Sequence, residues 1–253
     1  MRRRKKPEVP MWILISIILI WVGYGPIYTY FSTDVDRLNS EYPYEKVLPD
    51  FEVEVELKPR TPENWVQLKD ISRHAQWAII LSEDFAFYQH QGVNLEQIWA
   101  ALKYIVEGER VGEASTITQQ MVKNMYLSNS RNVSRKLEEV VLSYKVEKAL
   151  SKEKILEIYL NFIEYGPKIF GIKAAAHHYF KKSPSEINPK EAAFLAMLLP
   201  NPRSYYVSFE QRRLTAFAQS RISEILKKMK MAKNISDEEY KLELLRPLSW
   251  EKK

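Results

Sequence analysis

From Val9 to Thr33 no residue is charged, and the chain before that run begins Met-Arg-Arg-Arg-Lys-Lys. The apolar core of the run is Met11 to Val22, with Trp12, Trp21, Tyr24, Tyr28 and Tyr30 towards its ends. A membrane span needs roughly 20 apolar residues, and aromatic side chains favour its interfaces. The run therefore reads as one transmembrane helix over residues 11–31, behind a basic cytoplasmic segment, 1–10. Positive charge stays inside, so everything after the run faces the other side. A cleaved signal peptide would need a small-x-small site, and bulky Tyr28, Tyr30 and Phe31 stand where it should be.

Composition narrows the rest. Proline outnumbers glycine, 13 to 7, which argues against glycine-rich phosphate loops and a turn-rich β fold. There is no cysteine, so disulfides, thiolate nucleophiles and cysteine metal sites are excluded. The net charge of +6 favours an anionic partner or a solvated surface of mixed charge. Four histidines without a His-Glu-x-x-His pattern, two of them adjacent at His177 and His178, make a poor zinc site.

Residues 34–62 read as a proline-bounded connector with a strand signal over Phe51 to Leu57. Residues 63–232 read as a helical domain, and 233–253 as a charged tail. Thr61-Pro62-Glu63-Asn64 can open a helix, and Asp70 can cap one running from Ile71 to about Glu83. Ile98 to Val106 is helical and apolar on more than one face. Arg131 to Asn161 is the longest helical signal, with Ser134 as a cap and two apolar stripes: Leu137, Val140, Val141 and Tyr144 on one side, Leu142, Val146, Ala149 and Leu150 on the other. Burial on both sides would account for that pattern and put Glu139 in a pocket; a solvated charge pair is the other reading. Ser151-Lys152-Glu153-Lys154 reads as a helix cap. Asn188-Pro189 opens a hydrophobic helix that Pro200-Asn201-Pro202 breaks, and a basic amphipathic helix follows over about Phe209 to Lys230.

Two stretches carry chemistry. In Ser82-Glu83-Asp84-Phe85-Ala86-Phe87-Tyr88-Gln89-His90-Gln91-Gly92, adjacent carboxylates leave an apolar run. Either a charged helix end or a carboxyl with raised pKa, suited to proton transfer, fits these residues. In Ser115 to Asn124, Ser115 can cap a helix on which Thr116, Gln120, Lys123 and Asn124 share one face. That face is either an ordinary polar surface or a site for a sugar that carries phosphate.

Together these blocks resemble the monofunctional biosynthetic peptidoglycan glycosyltransferases, relatives of the glycosyltransferase domain of class A penicillin-binding proteins. The resemblance runs from about Trp65 to Tyr205. It rests on Glu83-Asp84-x-x-Phe87-x-x-His90-x-Gly92, Gly112-x-x-Ser115-Thr116-Ile117-Thr118-Gln119-Gln120-x-x-Lys123-Asn124, Arg135-Lys136-x-x-Glu139, Ile155-Leu156-Glu157-x-Tyr159-Leu160-Asn161, and Gly171 through Tyr179-Phe180. It implies a mainly α, lysozyme-like helical domain with a small lobe near the membrane, on the periplasmic side of the bacterial inner membrane. The implied reaction polymerises lipid II with inversion, forms β-1,4 links and releases undecaprenyl pyrophosphate. Glu83 is implied as the base and Glu139 as the second carboxylate. Substrate contacts are implied for Asp84, His90, Ser115, Thr116, Gln119, Gln120, Lys123, Asn124, Arg131, Arg135 and Lys136, with Asp84 shaping the loop that carries His90. The resemblance leaves open a divalent cation, Mg or Mn, at the pyrophosphate; no organic cofactor is called for. The partners implied are lipid II, the growing glycan strand, the membrane and proteins of wall synthesis or division, with no nucleic acid. Lys168 and Glu138 depart from the family pattern, where glycine and a basic residue are common. The same carboxylates would also serve a lysozyme-like hydrolase, and an inactive membrane scaffold is the third reading.

Overall fold

The computed structural model describes residues 23–48, 53–94, 115–127 and 132–252. The basic segment, most of the apolar run, the apolar helix expected over Ile98 to Val106, and Arg131 lie outside them. Among the described residues no helix is long and apolar enough to cross a membrane.

The architecture is mainly helical. Residues 23–32 form α1. The connector is a hairpin, β1 (Tyr42–Val47) paired antiparallel with β2 (Val53–Lys58). Its alternation of half-buried and exposed residues sets Val55 and Leu57 against the core. The helices that follow are α2 (Arg73–Glu83), α3 (Ile117–Tyr126), α4 (Val133–Ala149) and α5 (Lys152–Phe162). A short hairpin, β3 (Glu164–Gly166) with β4 (Ile169–Phe170), leads into α6 (Ile172–Phe180). Then come α7 (Pro189–Leu198), two single-turn helices, α8 (Ala216–Met231) and α9 (Asp237–Leu245).

The core is built around α7. Every residue from Pro189 to Leu198 is buried: Ala192 to Leu198 are apolar all round, while Lys190 bonds the Leu244 and Arg246 carbonyls and Glu191 pairs with Lys182. Asn188 caps it in a reciprocal pair with Glu191, with Pro189 at the first helical position. Helices α2 and α8 pack on α7, and α3 packs on α4 and α5. This holds the end of α2 and the start of α3 at the same place.

Several expectations need correction. Helix α2 begins after Ser72, not at Ile71, because the Ser72 N–H and hydroxyl bond the carbonyls of Pro184 and Ile187 and keep that stretch extended. Residues 63–64 form a turn and open no helix. The long helical signal is two helices. Asn132 caps the first, while Ser134 lies inside its first turn; Ser151 caps the second. Helix α4 is buried on one side only. Glu139, Leu142, Ser143 and Val146 face inward, while Leu137 and Tyr144 are more than 40% exposed. Residues 233–252 are no free tail. Trp250 packs 5.2 Å from Phe194 and 5.4 Å from Phe209, and Leu248 is buried beside it. The sequence shows the charges of this segment more readily than its two anchoring apolar side chains.

Glu45 on β1 offers a stability test. Burial pushes its carboxyl from the ordinary 4.5 up to about 7. Between those pH values the folded chain holds a proton that the unfolded chain releases, so stability falls as pH rises. Glu45→Gln should remove on the order of 1–3 kcal/mol of that decline. Urea denaturation of both proteins at pH 5 and pH 8 checks this; an identical pH dependence would refute it.

Candidate active site

Helix α2 ends at Glu83 because Asp84 leaves helical geometry, with φ −159° and ψ 72°. The Asp84 N–H still bonds the Ile80 carbonyl, so the Glu83 side chain leaves a well-anchored turn. One Glu83 oxygen accepts from the Ser82 hydroxyl at 3.1 Å and the other from Gln120 Nε2 at 3.0 Å. Gln120 Oε1 in turn accepts from Tyr159 Oη at 2.9 Å. A carboxylate can only accept, so it draws the amide nitrogen, and the phenol takes the amide oxygen. The Tyr159–Gln120–Glu83 chain therefore fixes the carboxylate's orientation. Tyr165 is fully buried nearby; burial first, and then the Glu83 charge, hold its phenol well above the usual range.

Asp84 does something different. It is 1% exposed, and His90 Nε2 reaches its two oxygens at 2.8 and 3.0 Å. The Ile117 N–H at the start of α3 donates to the same carboxylate at 3.1 Å. A carboxylate is favoured at a helix N-terminus, so Asp84 pins both the His90 loop and α3 beside Glu83. Gly92 closes this loop. Its φ is +83°, and a Cβ there would stand 2.9 Å from the Ser143 backbone. Its carbonyl accepts from the Thr116 hydroxyl at 2.7 Å.

The cap of α3 is Thr116, where Ser115 was expected. Thr116 and Gln119 form a reciprocal capping pair, and both are buried. Their polar atoms are thus used within the fold, and neither faces the open cleft. The side chains that do face it are Ser115, Gln120, Lys123 and Asn124. With Ile163, Glu164 and the turn from Leu199 to Pro202 they line a cleft of about 290 Å³.

Glu139 is 1% exposed, as a carboxylate on an apolar stripe should be. One of its oxygens accepts from Arg135 Nη1 at 2.9 Å and the other from Lys136 Nζ. Lys136 also donates to Ser115 Oγ at 3.0 Å, which ties this cluster to the cleft wall. Two cations and one buried carboxylate leave a net positive patch. Among the described residues no three His, Asp or Glu side chains are grouped to hold a metal ion.

The structure therefore brings Ser115, Gln120, Lys123 and Asn124 to one cleft, joins Glu83 to it through Gln120, and joins Glu139, Arg135 and Lys136 to it through Ser115. It keeps Asp84, His90, Thr116 and Gln119 behind the site. Sequence reasoning missed Tyr159, Tyr165 and Glu164. Tyr159 stands in a block carrying the resemblance, but a tyrosine on an apolar helix reads as core until its hydroxyl partner is known.

A family profile described as Transglycosylase matches residues 52–230. A "Biosynthetic peptidoglycan transglycosylase" of Janthinobacterium sp. (strain Marseille) is 42% identical over 176 residues, which is 69% of this chain and 74% of that protein. Proteins with the same name from Nitrosomonas eutropha and Herminiimonas arsenicoxydans are 36% and 39% identical. They cover 85% and 83% of this chain, and 82% and 84% of their own lengths. A crystal structure of penicillin-binding protein 1A from Haemophilus influenzae is 22% identical, with a TM-score of 0.41, over 82% of this chain and 21% of that one.

Proposed function

Because the chain belongs to the transglycosylase family, we propose that it polymerises peptidoglycan glycan strands from lipid II, with Glu83 as the base. The observation that carries the assignment of Glu83 is its orientation at the end of α2 by Gln120, a residue that also lines the cleft. Glu83 takes the proton from the acceptor 4-hydroxyl as that oxygen attacks the donor's anomeric carbon. The configuration inverts, a β-1,4 bond forms, and the lipid pyrophosphate leaves with the bonding electrons. Pyrophosphate is a good leaving group, so it needs positive charge more than a proton. Lys123 in the cleft, and Lys136 and Arg135 beside it, supply that charge, while Glu139 holds the last two in place.

Each Glu139 oxygen already accepts from a cation, so a metal ion binding there would compete with Arg135 or Lys136. A hydrolase would use the same base without needing the cation cluster, which favours transfer to a sugar over transfer to water. The test is a lipid II assay with and without a chelator. Glycan polymer is expected under both conditions. Release of short fragments from finished glycan, with no polymer formed, would overturn the reading. A strict requirement for Mg or Mn would mean that Glu139 releases a cation to bind metal.

Peptidoglycan synthesis places the chain at the cell envelope. We read residues 11–31 as a single-pass anchor in the inner membrane, with a lysozyme-like domain on the periplasmic side. An apolar surface supports this reading. Tyr24, Ile27, Tyr28 and Phe31 on α1 are 59–79% exposed, and Val133 and Leu137 on α4 are exposed as well. Residues 23–32 dock on α4 through Lys145 Nζ, which donates to the Tyr30 and Thr33 carbonyls. Gly25 passes so close to Glu138 that a Cβ would stand 2.6 Å from its Oε1. The exposed stripe of α4, unexplained by burial, suits lipid.

A further inference from the structure

The hairpin that walls the cleft has a second side. Glu164 on β3 faces the cleft, whereas Lys168 and Ile169 line a separate groove of about 670 Å³. The Lys168 N–H donates to Glu164 Oε1 at 3.3 Å, so the two spaces are one hairpin apart. The groove's titratable lining is Lys168, Lys173, His177, His178, Lys181 and Lys182, and among the described residues no Asp or Glu lines it. Lys182 is paired with buried Glu191 at 2.8 Å. Lys173 Nζ donates to a neutral group, the Glu63 carbonyl, at 2.8 Å. The charged form of His178 is disfavoured by burial and then by Lys181, Arg212 and His177, consistent with a positive potential at that wall.

Two of these lysines stand where the backbone would prefer glycine. Lys168 has φ +62° and Lys181 φ +59°. Left-handed geometry is costly for residues with a Cβ, and strain of this kind gathers at functional sites. Each lysine therefore carries a charge against its local conformational preference.

The spacing speaks to the ligand. Lys173, His177 and Lys181 follow i, i+4, i+8 along α6 and its cap, a rise of about 12 Å. A phosphate site gathers forked guanidinium or backbone N–H donors on one point. The two lysine charges, about 12 Å apart at the ends of this row, instead match an extended peptide of about four residues with carboxylates along it. We propose that this groove holds the carboxylate-bearing stem peptide of the glycan strand that occupies the neighbouring cleft. The proposal rests on the polymerase reading above and adds a subsite to it.

The test uses the full chain in detergent as the Glu83→Gln variant, so that binding is measured without turnover. The probe is the lipid-free disaccharide pentapeptide of the substrate, beside the same compound with its peptide carboxylates amidated. The parent should bind the free acid better. Adding Lys168→Gly and Lys181→Gly should weaken it about 3- to 30-fold, as expected for two exposed ion pairs, and leave the amidated compound unchanged. Glycine suits both positions, so the added changes should not lower the melting temperature. Equal binding of the two compounds, or no effect of the glycines, would overturn the proposal. So would loss of binding to phosphatidylglycerol vesicles with peptide binding retained, which would assign the groove to the membrane. Polymerisation by the wild-type chain, assayed separately, distinguishes failure of this subsite from failure of the polymerase reading.

Discussion

Glu83→Gln is expected to lower glycan polymerisation by roughly 10²-fold or more, the usual cost of removing a general base. The change should leave the fold intact. Glutamine keeps one acceptor oxygen, which can still take the Gln120 Nε2 hydrogen bond now made at 3.0 Å. The Tyr159–Gln120 bond, the α2 C-terminus and the Asp84 cluster do not require the Glu83 charge. What is lost is the ability to accept a proton from the attacking hydroxyl. Single-turnover rates on lipid II, read beside the melting temperature, separate the two effects. A variant that polymerises at the wild-type rate would remove Glu83 from the mechanism.

Glu139→Gln should act on both stability and rate. Its side chain is 2% exposed, against 15% for Arg135 and 45% for Lys136. Without the carboxylate, Arg135 loses its buried counter-charge, and an amide N–H₂ is brought against Lys136. Breaking a fully buried pair from one side costs more than this site should, because Lys136 reaches solvent. About 2–4 kcal/mol is expected, or roughly 4–16 °C in melting temperature for a domain of this size. On the proposed mechanism the rate should fall, because the cations assigned to the leaving pyrophosphate lose their placement. The acid limb of the pH–rate profile should stay where it is, since Glu83 still takes the proton. A displaced acid limb would make Glu139 the base; wild-type stability and rate would leave it without a role.

The residue pattern made much of this legible. Helices α6 and α7 follow from a glycine that breaks the chain at 171, and from Asn188-Pro189 with Glu191 at the capping position. The strand signal over Phe51 to Leu57 became β2, because alternation of polar and apolar residues fixes which side faces a core. Its partner β1 was not visible: a strand holding Pro43 and Glu45 offers no such alternation. The two-sided apolar pattern of α4 was visible, but its meaning was not. Periodicity reports that a face avoids water and cannot say whether protein or lipid covers it.

The same limit divides the site. The sequence by itself determined the family and the order of the polar blocks that hold the two candidate glutamates, since these depend on residue type and spacing along the chain. Only the tertiary structure decided which polar atoms remain available. It turned Thr116 and Gln119 inward to cap α3 and spent Asp84 on His90 and Ile117. It also brought Tyr159, 39 residues away along the chain, to orient Gln120 against Glu83. A hydrogen bond needs partners about 3 Å apart in a particular direction. Spacing along a helix can place a side chain on a face, but packing between helices decides what that face meets.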